Sequence, residues 1–524
     1  MTSRRSIGLA IVPVCFIALF FFYPVINLII RGLTDDGGRI ADVLTGERFL
    51  RIIWFTIWQA ALSTAATVVI AWPLTWAVAN RRFVGRSLVR VLTTIPFVLP
   101  TVVVASAFLA ISDRRSVWAI IAAHVFFNIA VIVRSVGGMW GQLDRRPEDA
   151  ARSLGASPWV AFRVVTLPRL RPALLASAAI VFLFSFTSFA VVLILGGLRR
   201  STLDTEIFRW AVTRGDIATA SALSVVQLVA VVALLVLNVR LGGRSAQQRF
   251  IADRAVPARG LWPRLALFGA IAVPGAFLAT PIVMLVLRSL SGGGGVSLDH
   301  YRALSERPRV LQVSPLDTLV NSLSFAVAAA GIAAIVGGLA ALAIVHGPRG
   351  LRRVLDLGML LPLGTSAVTL GFGFLISLDR GVLDLRSSWW IVPIAQALVG
   401  IPFVVRAVIP VLRSIDDRLR QAAASLGASP GRVRREIDLR IGGRALATGL
   451  GFAFAVSMGE FGATSFVGRQ GDLTTMPLAI ERLLSTPGAQ LRGQAMALSV
   501  ILMLVTSLVV LIGDRLHPDG GGVL

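Results

Sequence analysis

Few residues of this chain combine reactive chemistry with a telling position. Glu460, within Ser457-Met-Gly-Glu-Phe-Gly462, interrupts the apolar run 445–467. A carboxylate inside such a run is costly to bury, so a partner or a task must hold it there. Two roles fit: with Phe461 and Gly462 it lines a solute path, or it ties a helix end inside the bundle. An uncharged counterpart, Phe184-Ser-Phe-Thr-Ser-Phe189, stands at the equivalent point of the first half, with Ser185 and Ser188 as its candidate polar members. His124 and Asn128 are spaced i, i+4 in another apolar run and therefore share one helix face. They either meet a solute or act as interhelical hydrogen-bond formers. No catalytic set emerges. The four histidines (His124, His300, His346, His517) are scattered and Cys15 stands alone, so neither a metal site nor an internal disulfide is expected.

Nucleotide chemistry is excluded more sharply. The chain contains no lysine, so all 51 basic residues are arginine. A phosphate-binding loop needs Gly-x-x-x-x-Gly-Lys-Ser/Thr, whose lysine reaches the phosphates. The chain is therefore expected to be no enzyme and to bind no cofactor. If ATP drives it, ATP and Mg²⁺ sit on a separate ATPase subunit.

These residues are carried by apolar segments. The 524 residues are 56% apolar with a mean hydropathy of +0.80, more apolar surface than a soluble protein of this length could hide. A bilayer crossing takes about 20 apolar residues. Qualifying runs are 7–30, 53–79, 91–111, 117–137, 173–195 and 218–239, then 265–287, 319–345, 355–377, 389–409, 445–467 and 494–513. The expectation is an all-α membrane protein of two tandem six-helix domains, residues 1–239 and 265–524. Between them the polar, arginine-containing stretch 240–264 reads as a cytoplasmic linker. The first run follows Arg4 and Arg5 but lacks a small-x-small cleavage site, so it reads as a retained span.

The net charge of +24 would point to nucleic acid in a soluble protein. Here it is assigned to loops that hold orientation in a lipid bilayer, and no nucleic-acid partner is expected. With both termini in the cytoplasm, cytoplasmic segments carry about 32 of the 51 arginines. Arg81, Arg82, Arg86 and Arg90 crowd one inner loop, and Arg349, Arg352 and Arg353 the equivalent loop of the second half.

The two halves share a repeat. Leu-Gly-Ala-Ser-Pro occurs at 154–158 and again at 426–430, each between the fourth and fifth runs of its half. The spacing predicts a short helix ending at Gly155 or Gly427, then a restart with Ser157 or Ser429 at N-cap and Pro158 or Pro430 at N1. Six runs separate the copies, so both halves point the same way. An inverted-repeat secondary transporter, the competing class, would place them oppositely.

The repeated segment resembles the Glu-Ala-Ala coupling motif of binding-protein-dependent ABC importer permeases, Glu-Ala-Ala-x3-Gly-x9-Ile-x-Leu-Pro. In the first copy, about 148–168, Asp149, Ala150, Ala151, Gly155, Val165, Leu167 and Pro168 fit, with Asp149 in place of Glu and Glu148 just before it. In the second, about 420–440, Gln421, Ala422, Ala423, Gly427, Ile437 and Leu439 fit, with Arg440 where proline is expected. The resemblance implies a cytoplasmic coupling helix in each half that docks on a homodimer of an ATP-binding cassette subunit. It also implies an extracytoplasmic solute-binding protein and a place in the inner membrane of a bacterium.

Two permease units in one chain are similar to thiamine and ferric-ion importer permeases. Ala123-His-Val-Phe-Phe-Asn128, Ser188-Phe-Ala-Val-Val-Leu-Ile-Leu-Gly-Gly197 and Leu439-Arg440 are similar to the thiamine permeases. That resemblance implies thiamine or a related small cation as substrate, with ferric ion as the alternative. Glu-Phe-Gly also looks like what molybdate and sulfate permeases carry, so Glu460 does not by itself imply a cationic substrate.

Overall fold

A computed structural model describes residues 3–34, 38–197, 199–242, 255–292, 295–378, 384–385, 388–468 and 473–515. It is helical almost throughout; among the described residues, strands amount to two short pairs. Among the described residues, ten helices are long and apolar enough to cross a membrane: α1 (Gly8–Thr34), α2 (Glu47–Asn80), α5 (Val117–Gln142), α7 (Pro158–Phe186), α8 (Ile217–Asn238), α9 (Leu261–Ser289), α10 (Pro315–His346), α13 (Ile391–Ser414), α15 (Gly431–Gly459) and α16 (Ala489–Gly513). The pairs α3 (Arg86–Val98) with α4 (Thr101–Ile111), and α11 (Arg349–Pro362) with α12 (Ala367–Ser377), bring the total to twelve if each counts as one span. Two short helices, α6 (Arg146–Ser153) and α14 (Asp417–Ser425), lie in the repeated loops.

Each expected span has a counterpart, but four are not straight. The runs 91–111 and 355–377 bend by 100° and 96°. Leu99, held extended (ψ 137°) ahead of Pro100, breaks the first; Ser366 restarts the second by accepting from Val368 N–H at 3.2 Å. The runs 173–195 and 445–467 stop at Phe186 and Gly459, and short helices follow at Ala190–Gly196 and Thr464–Val467. Apolar content alone does not distinguish a straight span from a broken one, which is why the sequence reads all four as continuous.

Packing groups the chain into two compact units that are discontinuous in sequence: 1–45, 206–228 and 289–524 in one, 46–205 and 229–288 in the other. The first helix of each sequence half thus packs with the other half's bundle. In the first unit, α1 lies against α10, and Phe20 approaches Phe374 of α12 at 6.4 Å between ring centroids. In the second, Leu267 and Ala270 of α9 are buried against Ala77 of α2.

Each unit has a three-helix centre, α10/α13/α15 in one and α2/α5/α7 in the other. Without a hydrophobic force between helices in lipid, close approach depends on small residues. The α13–α15 contact is close, since a Cβ on Gly449 would stand 2.9 Å from Val404 Cα. The expected linker 240–264 is described in part, residues 243–254 lying outside the described residues. Its later part is held: Val256–Pro257 pairs in parallel with Arg81–Arg82 beside α2.

Candidate coupling loops and polar interior

The two repeated loops have the same local geometry. Asp144 accepts from Arg146 N–H at 3.0 Å and Asp416 from Arg418 N–H at 2.9 Å, starting α6 and α14. Both helices end at a glycine in the left-handed region, Gly155 at φ +91° and Gly427 at φ +81°. There the N–H of the next residue reaches back to the carbonyl of Ala151 or Ala423, at 3.1 and 3.0 Å. Ser157 then caps Val160 N–H at 3.3 Å and Ser429 caps Arg432 N–H at 3.4 Å. A π-turn follows in both, Phe162–Thr166 and Arg434–Asp438, directly before Leu167 and Leu439. Such insertions recur at functional positions of helices.

The loops show an apolar surface beside polar groups. Leu154 and Leu426, at matching positions, are 89% and 88% exposed. Asp149, Ala150, Gln421 and Ala422 are exposed as well, whereas Ala151, Ala423, Val165 and Ile437 are half-buried. Leu167 is half-buried, and Pro168 and Leu439 are exposed. Glu148 turns inward and accepts from Thr166 Oγ1 at 2.9 Å.

The second loop is fastened by residues the motif does not contain. Arg420 Nε donates to buried Asp438 Oδ1 at 2.9 Å, and its other nitrogens donate to the carbonyls of Leu412 and Ile415 at 3.1 and 3.4 Å. His346 Nε2 stands 3.2 Å from Asp438 Oδ2, close enough for electrostatic attraction without hydrogen-bond alignment. The signal was present in sequence as a charged pair eighteen residues apart, but the motif treats both positions as variable.

Glu460 sits at the break after α15, and its carboxylate caps the next helical turn. Oε1 accepts from Ala463 N–H at 2.7 Å and Oε2 from Thr464 N–H at 3.0 Å. The Thr464 hydroxyl donates to the Glu460 carbonyl at 3.0 Å. Phe461 is buried, and a Cβ on Gly462 would stand 2.8 Å from Ala367 Cβ, so this segment lies directly on α12.

In the other unit, the polar residues of α2, α5 and α7 converge. His124 Nδ1 is 3.1 Å from Ser63 Oγ. Asn128 Nδ2 donates to the His124 carbonyl at 3.0 Å and reaches Ser185 Oγ at 3.5 Å. Gln59 Nε2 donates to the Ser185 carbonyl at 2.8 Å. All five are buried, and His124 Nε2, Asn128 Oδ1 and Gln59 Oε1 have no protein partner. Ser188 is half-buried in the break after α7 and outside this hydrogen-bonded set. Gln59 and Ser63 lie more than sixty residues from His124, a separation at which sequence spacing is silent. Among the described residues, no three His, Cys, Asp or Glu side chains converge as a metal site would require.

These features accompany a clear set of likenesses. Residues 67–244 and 264–519 match the family described as binding-protein-dependent transport system inner membrane component. The chain is 28% identical over 516 residues to the thiamine transport system permease protein ThiP of Brucella abortus, covering 93% of this chain and 92% of that one. It is 27% identical over 539 residues to the protein of the same name from Salmonella typhimurium, with 97% of each chain covered. The molybdenum transport system permease protein ModB of Haemophilus influenzae is 36% identical over 161 residues, covering 28% of this chain and 70% of that one.

Proposed function

Because this chain belongs to the family of binding-protein-dependent transport system inner membrane components and is the membrane-embedded permease of an ABC importer, we propose that the solute it carries is thiamine. The likeness over nearly the full length of the thiamine permeases supports this reading more than any single side chain does. Thiamine reaches the membrane on an extracytoplasmic binding protein and leaves on the cytoplasmic side, where both termini and the repeated loops face. The arginine-rich loops support that orientation.

Energy enters through α6 and α14. A homodimer of ATPase subunits holds ATP and Mg²⁺, and this chain binds no nucleotide because it has no lysine for a phosphate loop. Leu154 and Leu426 are the apolar knobs that the two ATPase copies cover. The 29-residue helices α7 and α15 run from the loops to the breaks near Ser185 and Glu460, each a rod of about 40 Å at 1.5 Å per residue. A push at the loop is thereby delivered at the break, and the orphaned polar atoms of Gln59, His124 and Asn128 are groups that a passing solute can satisfy.

The test is reconstitution in proteoliposomes. The purified chain alone should hydrolyse no ATP. With its ATPase subunit and loaded binding protein it should hydrolyse ATP and accumulate labelled thiamine. Accumulation of ferric ion with no uptake of thiamine would replace the substrate assignment, and hydrolysis by the chain alone would overturn the division of labour.

A further inference from the structure

The two loops are fastened to their bundles by pairs of inverted polarity. In the first, the acid lies on the short helix: Glu148 of α6 accepts from Thr166 at 2.9 Å. In the second, the base lies there: Arg420 of α14 donates to Asp438 at 2.9 Å. Both pairs are eighteen residues apart and occupy matching positions, since Glu148 precedes Gly155 by as many residues as Arg420 precedes Gly427.

A third position completes the correspondence. Arg86 donates to the Val78 carbonyl and Arg352 to the Ile344 carbonyl, each at 2.9 Å, which sets α2 and α10 in register. Asn80 then matches His346. Asn80 Nδ2 donates to the Trp76 carbonyl of its own helix at 3.2 Å, whereas His346 Nε2 lies 3.2 Å from Asp438. The second loop therefore engages three helices through buried polar and charged groups. Arg420 reaches the end of α13 at Leu412 and the turn after it at Ile415; Asp438 leads into the apolar part of α15; His346 ends α10.

We propose that Arg420, Asp438 and His346 form a positioning triad that fixes the second coupling helix to its three-helix bundle, so that a displacement of α14 moves α10, α13 and α15 together. This rests on the reading that α14 meets the ATPase. A buried ion pair is hard to break, because either partner left alone is a desolvated charge. The planar guanidinium of Arg420, donating to Asp438 and to the Leu412 and Ile415 carbonyls at once, gives the joint direction as well as strength. The inverted pair in the first loop means that the two fastenings cannot be exchanged one residue at a time. Arg420→Glu alone faces a second carboxylate with the new one, whereas Arg420→Glu with Asp438→Thr recreates the first loop's solution.

The complete transporter, with its ATPase subunit and binding protein, is assayed in proteoliposomes for ATP hydrolysed per labelled thiamine taken up. Cross-linking from Leu426→Cys and Leu154→Cys to the ATPase, in a Cys15→Ser background, is measured alongside. We expect Arg420→Glu and Asp438→Asn each to raise the ATP consumed per thiamine at least fivefold, with the cross-links retained. The double change Arg420→Glu with Asp438→Thr should return it to within twofold of the unmodified protein. Should Arg420→Glu fail to accumulate, Arg420→Gln takes its place. Retained cross-links with unchanged stoichiometry in the single variants, or a double variant no better than the singles, overturns the triad alone. Absence of cross-links from both loops of the otherwise unmodified transporter overturns the docking reading, and the triad's role with it.

Discussion

Glu460 Oε1 accepts the backbone N–H of Ala463 at 2.7 Å, and this bond with its neighbour from Thr464 turns a buried carboxylate into the cap of a short helix inside the bundle. Both carboxylate oxygens are engaged by main-chain donors, the arrangement expected of a structural partner rather than of a group kept ready for a solute.

Glu460→Gln should therefore act on folding first. An amide offers one oxygen, so its NH₂ would face either the Ala463 or the Thr464 N–H, donor against donor. Leaving such a buried donor unsatisfied costs about 1–3 kcal/mol. The expected outcome is a lower thermal midpoint and reduced yield of the purified chain. Normal stability and normal stimulated ATPase activity, with uptake abolished, would instead place the carboxylate on the solute path.

Leu154→Asp and Leu426→Asp should leave folding unchanged, because both side chains already project into solvent. Covering a leucine contributes about 1.5–3 kcal/mol, so each change should weaken binding of the ATPase subunit by about tenfold or more, since about 1.4 kcal/mol is tenfold. Titration of labelled ATPase subunit onto the reconstituted permease reads this directly. Unaltered affinity in both variants would move the docking surface elsewhere.

Gly449→Val should destabilise without touching any polar group. Its Cβ would meet Val404 Cα at 2.9 Å, backbone that has no rotamer to give way. Overpacking of this kind typically costs about 1–3 kcal/mol. Thermal unfolding in detergent should shift downward, whereas Gly451→Ala, on the same helix but in open space, should not.

The sequence carried the spans and both loops because each depends on neighbours close along the chain. Apolar runs of sufficient length became helices, and Ser157, Pro158 and Gly155 form the cap and stop that their types imply. What stayed hidden depends on tertiary partners. Glu460 stands out in the sequence as a carboxylate in an apolar run, but its capping of the next turn, although the donors lie only three and four residues on, needs α15 to stop at Gly459. Arg420 and Asp438 belong to positions the coupling motif leaves free, and Gln59 joins Ser185 across 126 residues. Nor does any periodicity announce that α1 packs beside α10, because an apolar helix is equally compatible with either bundle.

That exchange of first helices carries a timetable. When α1 leaves the ribosome the three-helix centre it joins does not yet exist: from Thr34 to Pro315, the start of α10, roughly 280 residues remain to be made, on the order of 14–56 s at 5–20 residues per second. For much of that interval the amino-terminal helix has at most α8 to lean on, whose Ser221 and Val225 lie against Gly32. The other bundle can close as soon as α9 is threaded, long before the carboxy-terminal helices are translated. Biogenesis of this permease is thus staggered, with its earliest segment completing its packing only after the second half has begun to emerge.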